Sequence, residues 1–69
     1  MRFSYNKLWK LLIDKGWTKS ELRQKAGISS STIAKLGKGE NVTTDVLLKI
    51  CIALNCRIEA IIEIVDKNE

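Results

Sequence analysis

One spacing recurs four times in this chain and limits what it can fold into: an apolar residue, then serine or threonine, then another apolar residue four positions on. It occurs as Phe3-Ser4…Leu8, Trp17-Thr18…Leu22, Ile28-Ser29…Ile33 and Val42-Thr43…Leu47. In each, the hydroxyl can accept from the first free N–H groups of a helix, and the apolar pair can close over the helix entrance. Thr18 with Glu21 adds a reciprocal capping box. With no proline in the chain, these starts predict one small all-α domain spanning residues 1–69.

The first helix is expected from about Tyr5 to Lys15, with Tyr5, Leu8, Trp9, Leu12 and Ile13 inward and Gly16 as its stop. The second spans roughly Lys19 to Ala26 and the third Ser30 to Leu36, joined by a tight turn at Gly27. Gly37-Lys38-Gly39 ends the third and opens a loop through Asn41. The fourth covers Thr44 to Leu54, with Leu47, Ile50, Cys51 and Leu54 inward and Asn55 as C-cap. The segment from Ile58 to Val65 reads two ways. Ile58, Ile61, Ile62 and Val65 fit one face of a fifth helix, which is the preferred reading. Ile58, Ala60, Ile62 and Ile64 also alternate as in a strand, which would pair across a dimer.

Residues Lys19 to Leu36, KSELRQKAGISSSTIAKL, carry a family resemblance. Gly27 falls at the ninth motif position, and Leu22, Ala26, Ile28, Ile33 and Leu36 occupy the apolar fourth, eighth, tenth, fifteenth and eighteenth. In this the segment, at about residues 18–36, resembles the helix-turn-helix of phage repressors and Cro, within the xenobiotic-response-element group of bacterial regulators. One position departs: the fifth, usually small, is Arg23, whose stem is expected to lie along the surface with its charge in water. The resemblance implies a compact bundle of five short helices, a lambda-repressor-like DNA-binding domain, and a fifth helix at the C-terminal segment.

Charge distribution agrees with that implication. Residues 1–38 hold nine Lys or Arg against Asp14 and Glu21, a balance of +7 within a net +4. A basic front half carrying the helix-turn-helix and an acidic back half is the polarity of a nucleic-acid binder. At 69 residues the core is modest, and association would stabilise it. No apolar run approaches the ~18 residues a membrane span requires, and the N-terminus is not a signal peptide. A chain beginning at Met1 in this way is expected to be complete and cytoplasmic. Cys51 and Cys56 are the only cysteines and histidine is absent, so a four-ligand zinc set is incomplete. A five-residue separation on a helix points them to different faces, and two buried free thiols are expected, with no metal and no cofactor.

The resemblance makes the third helix the reader of base edges in the major groove. Its outward stripe is Ser30, Ser31, Ala34 and Lys35, with Ser29 as the cap beside a phosphate. Serine hydroxyls suit almost any base and Lys35 suits guanine, whereas no Arg, Asn or Gln projects from this helix. Modest base specificity per half-site is therefore expected. Lys19 and Ser20, opening the second helix, and Lys38, Asn41 and Thr43, in the loop after the third, are the expected phosphate contacts. Trp9 and Trp17 sit at helix-face and staple positions and are expected in the core. Ser31 and Lys35 lie four apart, but on a face open to water that does not activate a nucleophile, so no enzymatic activity is expected.

The function expected is sequence-specific double-stranded DNA binding by a small transcriptional regulator. A repressor acting as a homodimer through the C-terminal segment, on a pseudo-palindromic operator, is the favoured form. Two alternatives stand beside it: a protein-interaction module of antitoxin or anti-repressor type, and a sequence-blind architectural DNA binder.

Overall fold

The computed structural model describes residues 1–66. Its elements run β1 (Arg2–Ser4), α1 (Asn6–Lys15), α2 (Lys19–Ala26), α3 (Ser30–Gly37), α4 (Thr44–Leu54), one 3-10 turn (Ile58–Ala60) and β2 (Glu63–Val65). Three of the four helix starts form as their residues specify. Thr18 Oγ1 accepts from the Glu21 amide at 3.1 Å while the Glu21 carboxylate accepts from the Thr18 amide at 3.0 Å. Ser29 Oγ accepts from the Thr32 amide at 3.2 Å, and Thr43 Oγ1 from Val46 at 3.3 Å. The first start differs. Tyr5 holds the N-cap position with no side-chain cap, and Ser4, buried at the end of β1, accepts the Asn6 amide at 3.3 Å.

Between α2 and α3 the chain turns at Gly27, whose φ is 70°. A Cβ there would meet nothing within 4 Å, so the glycine serves the backbone angle rather than a close approach. Asn55 does the same for α4 at φ 52°, since its short polar side chain tolerates the left-handed region.

The fifth helix is absent among the described residues, which hold four α-helices. In its place the 3-10 turn closes with the Ile61 amide on the Ile58 carbonyl at 3.0 Å, and β2 then pairs antiparallel with β1. The register is Arg2 with Val65, Phe3 with Ile64 and Ser4 with Glu63. The strand therefore pairs with the chain's own N-terminus. Two physical causes act together. Arg57 stands at the helix-entry position without a side-chain cap, so nothing extends the turn into a helix. The β-branched residues Ile62, Ile64 and Val65 then favour a pleated partner, and β1 supplies one.

The core comprises Tyr5, Leu8, Leu12, Leu22, Ile28, Leu36, Leu47, Ile50, Leu54 and Ile61. Trp9, Leu11, Trp17, Ile33 and Cys51 pack half-buried around it. Ile13 does not join it and is 77% exposed. On α1, Leu11 and Ile13 flank the buried arc at about 100° on either side, and only the Leu11 edge is covered by the rest of the chain. Arg23, at the usually small position, is half-buried. Lys7 Nζ donates to the Glu59 carbonyl at 2.8 Å and ties α1 to the 3-10 turn. Tyr5 Oη donates to the Glu40 carbonyl at 2.9 Å and ties the start of α1 to the loop after α3.

Tyr5→Phe deletes that last bond and should lower stability by about 1 kcal/mol in urea unfolding. Burial raises the Tyr5 pKa above its ordinary 10.0, with a backbone hydrogen bond from Val42 opposing. The native state thus keeps this proton more tightly than the unfolded chain does. Its contribution is intact below pH 10.0 and is lost as pH rises past that value, so Tyr5→Phe should flatten the alkaline decline. Ser29→Ala removes the α3 cap and should cost about 1 kcal/mol, whereas Ser30→Ala, one residue on and exposed, should change stability by less than ~0.5 kcal/mol.

Candidate nucleic-acid interface

α3 is held by one edge. Leu36 is 1% exposed and Ile33 packs half-buried on the same core. The opposite edge presents Ser30, Ser31, Ala34 and Lys35, all exposed. Eight residues of helix rise about 12 Å, which is on the order of the width of a DNA major groove.

At the N-terminus of α3 three hydroxyls converge. Ser29 Oγ lies 3.0 Å from Ser31 Oγ and 2.9 Å from Thr32 Oγ1. Each hydroxyl is both donor and acceptor, so rotating one re-sorts its neighbours, and the cluster can offer either partner to an incoming group. Thr32 escaped the sequence reading because it lies off the outward stripe, although its spacing three residues after the cap is a usable signal.

Lys19 and Ser20 are exposed in the first turn of α2. Lys19 Nζ sits 4.5 Å from the Trp9 ring centroid, and Lys25 Nζ 5.0 Å from that of Trp17. Each tryptophan thus packs on the core while carrying a lysine on its ring. Lys38, Asn41 and Thr43 are exposed along the connection from α3 to α4. They do not form one cluster. Lys38 lines a polar cleft with Arg2, Asn6 and Trp9, whereas Asn41 borders an apolar groove with Phe3, Val42, Ile62 and Ile64. Thr43 spends its oxygen as the α4 cap, which leaves its O–H to donate.

Arg2 is the cation that the sequence reading missed. Its guanidinium reaches to 3.3 Å of where a Cβ on Gly39 would stand, beside Lys38. No local signal announces this, because only the pairing of β1 with β2 brings the N-terminus there.

Among the described residues no group of three or more His, Cys, Asp or Glu side chains could hold a metal ion, and no helix is long and apolar enough to cross a membrane. Cys51 and Cys56 are free and half-buried. They do not point apart as helix periodicity predicts. The left-handed Asn55 folds the chain back, so that the Cys56 amide donates to the Cys51 carbonyl at 3.0 Å and the two thiols come close enough to interact. Burial, and then the neighbouring Cys56, pushes the Cys51 thiol up from its ordinary value, which keeps it protonated and a poor nucleophile.

The arrangement is a capped helix with a polar exposed stripe, flanked by lysines on two neighbouring segments. No curated protein matches the chain. Among solved structures it is similar to the crystal structure of the transcriptional regulator VanUg, form II. The TM-score is 0.92 and the sequence identity 59%, over 96% of this chain and 88% of that one. Residues 7–67 match the Cro/C1-type HTH DNA-binding domain. With the match spanning α1 through β2 and both halves of the Gly27 turn in place, the chain belongs to the Cro/C1-type helix-turn-helix DNA-binding family.

Proposed function

We propose that the chain is a sequence-specific transcriptional regulator, a repressor that binds a pseudo-palindromic operator as a homodimer, and not an enzyme. The observation that carries the reading is the exposed stripe Ser30, Ser31, Ala34 and Lys35 on a helix whose other edge is locked in the core. Likeness to VanUg, a transcriptional regulator at 59% identity, supports the regulatory role. In this reading α3 enters the major groove. Ser30, Ser31 and Lys35 meet base edges, and Ser29 stands by a phosphate with Thr32 behind it. Lys19, Ser20, Lys38, Asn41 and Thr43 bind the backbone and set the register.

The stripe lacks Arg, Asn and Gln, each of which would add about 1–3 kcal/mol of discrimination. Specificity per half-site is accordingly modest, and DNA shape and bridging water supply part of it. Two half-sites multiply what one reads weakly, so dimerisation matters here. Apolar side chains suited to it are exposed: Leu48 at 58% and Ile52 at 69%, four apart on α4, and Ile64 at 65% on β2.

Selection of duplexes from a random pool, at low and near-physiological salt, tests the reading. A two-fold symmetric motif that survives the higher salt supports it, with half-sites about one DNA turn apart. Broad binding that vanishes with salt would favour an architectural role, and no binding at either salt would favour a protein partner. Lys35→Ala should change preference at one or two base pairs. Lys19→Ala should weaken every duplex alike and flatten the salt slope by about one unit. Sedimentation of the chain with its selected duplex should give a dimer, and Ile52→Asp should shift it to monomer without unfolding it.

A further inference from the structure

The helices α1 to α4 end in the same way. A residue with positive φ follows each, namely Gly16, Gly27, Gly39 and Asn55, and the next residue donates its amide to the carbonyl five positions back. The bonds run from Trp17 to Leu12 at 2.9 Å, Ile28 to Arg23 at 3.1 Å, Glu40 to Lys35 at 2.9 Å and Cys56 to Cys51 at 3.0 Å. This closure brings the side chains of the two bonded residues together. At the end of α1 the pair is leucine and tryptophan, an apolar contact. At the end of α4 it is two thiols, both free and half-buried.

We propose that Cys51 and Cys56 are a redox-modification site, a dithiol that closes reversibly to an intramolecular disulfide across the Asn55 turn. Their backbone hydrogen bond, with the covalent lengths on either side of it, holds the two Cα atoms within about 7 Å, which is the reach of a disulfide. Asn55 at φ 52° and the bond from its amide to the Ile52 carbonyl at 3.2 Å fix the turn, so closure calls for side-chain rotation only. Charge selects among the reactions open to two thiols. Burial first, then Cys56 and Glu59, oppose a negative charge on Cys51. A soft metal held between the sulfurs would require both as thiolates, whereas the dithiol and the disulfide are uncharged.

The oxidant is a small-molecule disulfide. Cys56 gives up its proton and its sulfur attacks one sulfur of the oxidant, whose S–S bond breaks. One half leaves and takes up a proton as a thiol. Cys51 then gives up its proton and attacks the Cys56 sulfur, so that a bond joins the two cysteines and the second half leaves as a thiol. The cysteines lose two electrons and the oxidant gains them. The ring so closed spans residues 51–56 and clips the end of α4 to the chain that leads into the 3-10 turn and β2. The proposal is independent of the DNA-binding reading.

The test equilibrates the full chain, folded and in urea, with reduced and oxidised glutathione at set ratios. Mass spectrometry of acid-quenched samples separates the dithiol, the mixed disulfide and the bridged chain. A disulfide that fits the fold is favoured in the folded chain over the unfolded one by the factor with which it stabilises the fold, here about tenfold or more. Circular dichroism of the bridged chain should keep the helical signal of the dithiol. Asn55→Ala strains the left-handed turn and should reduce the folded chain's preference, and Asn55→Gly, which takes that conformation freely, should keep it. Equal bridging in the folded and unfolded chain overturns the proposal. So does a folded chain that accumulates the glutathione mixed disulfide, or one that loses its helical signal on bridging. If Asn55→Ala folds and bridges as readily as Asn55→Gly, the turn does not join the thiols and the proposal fails. Should Asn55→Ala not fold, the parent chain and Asn55→Gly decide alone.

Discussion

The angle between α2 and α3 depends on three side chains that share one core. Leu22 on α2 is fully buried, Ile28 in the turn is nearly so, and Leu36 on α3 is 1% exposed. With Gly27 holding a positive φ between them, the two helices have little freedom to rotate without opening that contact. Truncating such a leucine to alanine typically costs about 2–5 kcal/mol, a large share of what a domain of this size possesses. Everything exposed on α3 is aimed by what is buried on it. The exposed face is a by-product of packing, and the same residues that stabilise the domain fix where Ser30 and Lys35 stand.

Several features are legible in the sequence because their physics is local. A hydroxyl that caps a helix needs only the next three residues, and Thr18, Ser29 and Thr43 all behave as such. Gly27 and Asn55 stop helices for reasons contained in their own side chains. The outward stripe of α3 follows from the same 3.6-residue period. Features that depend on distant partners are not legible in this way. Phe3-Ser4 has the spacing of a helix entrance, yet it forms a strand because Glu63–Val65 lies alongside. Ile13 and Leu11 are equivalent by periodicity, and only the arrangement of neighbours buries one edge and exposes the other. The thiols of Cys51 and Cys56 meet because the chain reverses at Asn55, which helix geometry alone could not show. The place of Arg2 beside Gly39 likewise depends on the pairing of β1 with β2.

The domain separates two kinds of polar group. Capping hydroxyls and the Tyr5 phenol satisfy backbone groups within the fold, whereas Lys19 and Lys25 remain near water with their ammonium groups over the Trp9 and Trp17 rings. Ordering a long cationic side chain before binding removes part of the entropy that would otherwise be lost on contact. In the proposed DNA-binding role, an interface of few strong base readers gains from this, since its backbone contacts start closer to their bound geometry.

The pairing of β1 with β2 joins the two ends of the chain across nearly its whole length. A two-stranded ribbon of three residues a side is not stable by itself in water, and closing so long a loop has an entropic cost that three pairs do not offset. The helices must therefore stand first, and the ribbon exists only while they do. The position of Arg2 is conditional in the same way: part of the positive field beside α3 is present only when the core is intact. A partly unfolded chain would retain its lysines and its net charge, yet it would lose this local arrangement, so the electrostatic pattern itself distinguishes a native molecule from a merely basic one.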